Sequence, residues 1–180
     1  MSSARAAFRR ADGVVLPGVG AFGEAAKRLN RLGLFGILRE WVLEGRPFLG
    51  ICLGLQLLFE ESREFGRHRG LNCFRGRVAA FPKGMTVPHM GWNSVDVVKR
   101  GWLFKGIPDG SYFYFVHSYF PVPRDRRIVA GRTTYGVKLT CAIEKGAVAA
   151  VQFHPEKSQK NGLMILANFA ARVAAERRSA

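Results

Sequence analysis

The chain has 180 residues, 48% of them hydrophobic and 23% charged, which suits one globular domain with a core of its own. Its formal net charge is +15. No apolar run reaches the length of a membrane span, Met1 to Arg10 lacks the uninterrupted apolar segment of a signal peptide, and the chain reads as cytosolic. Cys52, Cys73 and Cys141 are odd in number, far apart and outside any CxxC pair, which argues against a disulfide framework or zinc site and leaves room for one reactive thiol. The positive charge has two readings: nucleic-acid or anionic-membrane binding, or a solvated basic surface suited to an acidic partner or anionic metabolites. Lys and Arg are spread along the chain without a matching motif, which favours the second.

In chain order, Asp12 to Leu16 is a short apolar strand closed by the turn Pro17-Gly18-Val19-Gly20. Phe22, Ala25, Ala26, Leu29 and Leu32 follow at helical spacing, and Leu34, Ile37, Leu38, Trp41 and Val42 form a second helix ending at Gly45. Phe48 to Ile51 reads as a buried strand, and Leu55 to Glu61 as the next helix. This alternation predicts an α/β, three-layer design with a mostly parallel central sheet. After Gly70 the texture changes. Arg75 to Phe81, Val95 to Lys99, Tyr112 to Phe120, Ile128 to Tyr135, Val137 to Glu144 and Ala147 to Phe153 read as strands punctuated by Gly and Pro. Lys145-Gly146 is a hairpin signal, so this half adds antiparallel strands. From Asn161 an amphipathic helix closes one domain spanning residues 1–180.

Gly50-Ile51-Cys52-Leu53-Gly54 has the spacing of a nucleophile elbow, a strained strand-to-helix turn with the reactive residue at its apex. Side chains at the two flanking glycines would collide with neighbouring chain. The geometry would set the thiol at a helix N-terminus, which favours thiolate; the plainer alternative is a small buried core cysteine. A cysteine nucleophile needs a base and a group that orients the base. His154 and Glu156, at a strand end on either side of Pro155, can share one side of the chain and supply both.

Cys52 in its elbow followed far downstream by His154-Pro155-Glu156 resembles the class I (triad) glutamine amidotransferases. Within them, Leu16 to Gly23, Val87-Pro88-His89-Met90-Gly91-Trp92-Asn93, Tyr112 to Phe120 and Gln152 to Gln159 resemble the glutaminase subunits of imidazole glycerol phosphate synthase. The resemblance runs from about Arg10 to the closing helix. It implies a flavodoxin-like class I amidotransferase fold and hydrolysis of glutamine to glutamate and ammonia by a triad of Cys52, His154 and Glu156. It implies oxyanion donors at Leu53 and at Val19 and Gly20, although an ordinary turn would need the glycines of Pro17 to Gly20 as well. Gln56, Ser118 and Tyr119 fall at its glutamine-contacting positions. It implies no cofactor and no metal; His68, His89 and His117 share no ligand spacing. The implied partner is a (β/α)8-barrel cyclase subunit, joined in a heterodimer, that makes imidazole glycerol phosphate and AICAR in histidine biosynthesis. Pro88, Met90, Trp92, Asn93, Tyr114 and Lys157 would face it, unless Met90 and Trp92 merely cap the core.

Members of the family open with a strand and helix ahead of the segment matching Arg10 onward, and this sequence lacks a counterpart of that unit. The expectation is a sheet with an unpaired edge and reduced solubility or activity. Two alternatives remain at this level: a glutaminase serving another synthetase, which the Pro88 to Asn93 block disfavours, and a basic binding subunit whose triad is silent.

Overall fold

The structure, a computed structural model, describes residues 3–179. It opens with helix α1 (Ser3–Arg10), strand β1 (Val14–Gly18), helices α2 (Phe22–Arg31) and α3 (Leu34–Leu43), strand β2 (Phe48–Cys52) and the one-turn helix α4 (Leu53–Gln56). Strands β3 (Phe59–Ser62), β4 (His68–Arg69), β5 (Phe74–Ala80), β6 (His89–Val97), β7 (Ser111–His117) and β8 (Tyr119–Pro123) follow. A 3-10 turn leads into β9 (Val129–Tyr135), β10 (Val137–Lys145) and β11 (Val148–Val151). A second 3-10 turn (Pro155–Lys157) precedes the closing helix α5 (Gln159–Ser179).

Seven strands form the main sheet in the order β1-β2-β11-β10-β9-β6-β7, and β4-β3-β5-β8 form a smaller one. Helices cover the main sheet on both faces. Phe48 of β2 packs with Phe22, Leu29, Leu38 and Trp41 of α2 and α3. Its neighbours Leu49 and Ile51 lie in the other cluster with Ile165 and Phe169 of α5. Alternation of side chains across one strand thus serves both layers. All five residues of β2 are buried, as an inner strand covered on both faces requires.

The expected mostly parallel sheet is corrected. β2 pairs in parallel with β1 and β11, but every other neighbouring pair of the main sheet is antiparallel. Parallel neighbours need a long crossover, whereas β9, β10 and β11 follow one another through hairpins at Gly136 and at the expected Lys145-Gly146 turn. The helix expected over Leu55 to Glu61 is also corrected. It stops at Gln56, and Phe59 starts a strand that pairs in parallel with β5. Leu55 to Phe59 is buried throughout, so no polar face marks the periodicity. The single strand expected over Tyr112 to Phe120 breaks at Ser118, where the chain leaves the main sheet and enters the smaller one. Helix α1 had no counterpart in the sequence reading; its Phe8 meets Trp41 edge-on at 5.6 Å.

Among the described residues β1 has β2 as its one partner, and Ser3–Arg10 ahead of it form helix α1. No described helix is long and apolar enough to cross a membrane.

Candidate active site

The elbow forms as its glycines require. Cys52 ends β2 and precedes α4 with φ 53° and ψ −106°, a strained conformation for a residue with a side chain. A Cβ on Gly54 would stand 1.9 Å from the Leu16 carbonyl oxygen, and one on Gly50 would stand 2.8 Å from that of Gly54. Both contacts are with backbone, so neither can relax by a side-chain rotation. The turn therefore rests against β1.

The cysteine is not poised as thiolate, contrary to the sequence expectation. Burial pushes the Cys52 thiol up to about 11, while hydrogen bonds from the Leu53 N–H and the Gln152 amide pull it back only in part. Helix α4 has four residues, too few peptide dipoles to outweigh desolvation. The thiol points toward the Val116 carbonyl at 3.9 Å and accepts from Gln152 Nε2 at 3.6 Å. A thiol protonated at neutral pH needs a base beside it.

The segment after β11 supplies one. Phe153 stacks on Phe113 at 4.1 Å, the His154 N–H donates to the Tyr114 carbonyl, and Ser158 Oγ donates to the His154 carbonyl. These ties hold the imidazole against β7. Its Nδ1–H donates to Glu156 Oε1 at 2.7 Å, which leaves Nε2 as the basic nitrogen. His154 Nε2 is buried and has no hydrogen-bond partner among the described residues. His154 and Cys52 line one cavity of about 290 Å³.

The cavity wall also holds Val19, Gly20, Leu53, Gln56, Ser118 and Tyr119, every residue expected to act on the oxyanion or the glutamine. Gln56 is buried and donates from Nε2 to the Tyr119 carbonyl at 2.9 Å and to Gln152 Oε1 at 3.2 Å. Of the residues expected to face a partner, Pro88 lines the same cavity. Met90 is 61% exposed and Trp92 46%, so neither caps the core. Trp92 meets the Tyr114 ring edge-on at 6.2 Å, and the Lys157 ammonium stands 5.8 Å from that ring's centroid. Asn93 donates to the Thr134 carbonyl. Met90, Trp92 and Tyr114 share one face of the β6–β7 pair, and Asn93 lies with His89 on the other.

Sequence reading missed three groups here. Gln152, wholly buried, bridges Gln56 and the thiol, and nothing in its local pattern marks it. Glu64 accepts the first N–H of α2, from Phe22, at 2.7 Å and lines the cavity as its one carboxylate. Ala21, at the cap position of α2, offers no side chain for that N–H, which is the one available signal. The third is a histidine pair: His89 Nδ1 and His117 Nε2 lie 3.0 Å apart on paired positions of β6 and β7.

A match to the family described as Glutamine amidotransferase class-I extends over residues 3–173. The chain belongs to that family. Among relatives of this amidotransferase, imidazole glycerol phosphate synthase subunit HisH of Aquifex aeolicus is 52% identical over 159 residues, 88% of this chain and 77% of that protein. The subunit of the same name from Moorella thermoacetica is 52% identical over 88% of this chain and 76% of its own length. The fold is shared more widely. The glutaminase domain of CTPS from Trypanosoma brucei, solved with bound acivicin, superposes with a TM-score of 0.64 at 20% identity over 93% of this chain and 74% of that one. A glutamine amidotransferase from Thermotoga maritima gives 0.60 at 20% identity over 94% and 66%.

The histidine pair should make the amidotransferase acid-sensitive. Burial lowers His117 from 6.5 to about 4, opposed by its bond to the Tyr119 carbonyl and helped slightly by the nearby His89 and His154, and burial lowers His89 too. Because the folded value lies below the unfolded one, the contribution to stability is complete above pH 6.5. It is lost as the pH falls toward 4, where the unfolded chain binds a proton that the folded chain refuses. The part due to His117 amounts to roughly 3 kcal/mol at most. Urea unfolding at pH 7.5 and 4.5 should therefore show a larger loss of stability in the wild type than in His117→Asn.

Proposed function

We propose that this amidotransferase is the glutaminase subunit of an imidazole glycerol phosphate synthase, hydrolysing L-glutamine and passing the ammonia to a cyclase subunit in histidine biosynthesis. The observation that carries the reading is the buried, unpartnered Nε2 of His154, left as an acceptor by the Nδ1–H bond to Glu156, in the same cavity as the Cys52 thiol. The relatives named above, similar over most of the chain, direct it to this synthase.

The chemistry follows from the protonation states. As the Cys52 sulfur attacks the side-chain carbonyl carbon of glutamine, its proton passes to His154 Nε2, and the carbonyl electrons move onto oxygen. The imidazolium stays paired with Glu156 through Nδ1. The Leu53 N–H and the Val19–Gly20 peptide are the donors offered to that oxyanion. Collapse expels the nitrogen, which takes the proton from Nε2 and leaves as ammonia, with a glutamyl thioester on Cys52. Water then gives a proton to His154 as it attacks the thioester, and glutamate departs as the thiol regains that proton.

Gln56, Ser118 and Tyr119 hold the amino-acid end of the substrate. Glu64, with one carboxylate oxygen engaged by α2, offers the other to the α-ammonium. Exposed Met90 and Trp92, with Pro88, Tyr114 and Lys157, form the face for the (β/α)8-barrel cyclase in a cytoplasmic heterodimer, and Asn93 backs it from the other side of β6. Exposed aromatic and Met side chains suit such an interface. The pair would yield imidazole glycerol phosphate and AICAR without releasing ammonia, which water would protonate.

Glutamate release should be measured for the chain alone, with a cyclase subunit, and with that subunit and its phosphorylated ribonucleotide. The expected result is a rise of about tenfold or more that needs both. Equal turnover in all three conditions would assign a free-standing glutaminase, and none in any would assign a silent binding subunit.

A further inference from the structure

The histidine pair is joined at both ends to other groups, and the ends fix every proton in it. The Tyr119 carbonyl can only accept, so His117 Nδ1, 2.9 Å away, carries a hydrogen. Neutral His117 then accepts at Nε2, and His89 donates to it from Nδ1 at 3.0 Å. His89 Nε2 is left to accept from Asn93 Nδ2 at 3.3 Å. The Asn93 amide is oriented independently, because its nitrogen also donates to the Thr134 carbonyl and its oxygen accepts the Ser94 N–H. Both ends agree, so a single set of tautomers satisfies the whole chain. The rings are locked as well: His89 stacks between Tyr135 at 4.1 Å and Phe115 at 4.9 Å, and Phe81 lies 5.3 Å from His117.

The acceptor at the end of this chain is a carbonyl of the cavity wall. It stands at the break between β7 and β8, where the backbone is released from the main sheet and has no ladder partner to fix Ser118. The same oxygen accepts from Gln56 Nε2. His117 itself lines the cavity. Structural demands alone would be met by an apolar residue at this buried site, since a polar chain that must satisfy four ring nitrogens is costly to build.

We propose that His117 is a positioning residue for glutamine binding: its Nδ1–H holds the Tyr119 carbonyl, and through it the Ser118–Tyr119 bend and the Gln56 carboxamide, in the substrate-binding arrangement. His89 and Asn93 set its tautomer from behind. The inference rests on the reading of Gln56, Ser118 and Tyr119 as glutamine contacts.

The test is steady-state glutamine hydrolysis by the complex with its cyclase subunit. His117→Phe keeps the ring volume and removes both nitrogens. It should raise KM for glutamine about tenfold, the size of one lost hydrogen bond, and leave kcat within about threefold. His117→Asn places an amide N–H near the position of Nδ1 and should return KM to within about threefold of the wild type. His117→Gln, whose amide reaches the Nε2 position instead, should not. The Asn and Gln pair carries the comparison if the Phe variant fails to fold. An unchanged KM in His117→Phe, or equal defects in His117→Asn and His117→Gln, would overturn the proposal. A wild-type complex that releases no glutamate would instead overturn the functional reading on which it rests.

Discussion

Cys52→Ala should lower glutamine hydrolysis by about four orders of magnitude or more and leave the melting temperature within a few degrees. The size of the loss follows from the chemistry: without sulfur no thioester forms, and His154 has no nucleophile to deprotonate. The small effect on stability follows from the geometry. Alanine keeps the Cβ that already occupies φ 53° at the elbow, so backbone strain is unchanged, and the sulfur's polar contacts are long, at 3.6 and 3.9 Å. Stopped assays for glutamate, run beside thermal melts, check both halves. Retained turnover in this variant would remove Cys52 from the reaction.

Gly54→Ala should be the costlier change for the fold. The new methyl would stand 1.9 Å from the Leu16 carbonyl oxygen, so β1 and the first turn of α4 must separate or twist. A loss of about 3 kcal/mol or more is expected, with glutaminase activity falling as the elbow opens. Gly36 is the control. It lies inside α3 with nothing within 4 Å of a Cβ built there, so Gly36→Ala should stabilise by about 0.5–1 kcal/mol. Opposite signs from one chemical change at two glycines, read by urea titration, would locate the cost in the elbow. A neutral Gly54→Ala would show that β1 and α4 can part without cost.

How legible the molecule was in its sequence depended on whether a feature was local. The elbow, with its glycines four apart, and the His154 and Glu156 pair two apart are short patterns; the elbow ends β2 as read, whereas His154 and Glu156 meet across a 3-10 turn and not along a strand. Helices α2 and α3 have polar and apolar faces and could be read from spacing. Helix α4 could not, because Leu55 to Phe59 is buried on all sides and offers no contrast. Sheet polarity was misjudged because the strand–helix alternation before Gly50 was extended over the sheet as a whole, whereas hairpins set the direction of β9 to β11. Gln152 on the thiol, Glu64 at the head of α2 and the His89–His117 pair are contacts across 100, 42 and 28 residues, and no local pattern announces them.

The raised thiol has a consequence for durability. Pushed up to about 11 by burial, the thiol stays protonated at pH 7. Peroxide and soft electrophiles attack the thiolate, so the nucleophile is chemically quiet while no substrate is bound. On the proposed mechanism the sulfur becomes reactive only when glutamine and His154 draw its proton away, so between turnovers it would be shielded from the oxidation that ends the life of more acidic catalytic thiols.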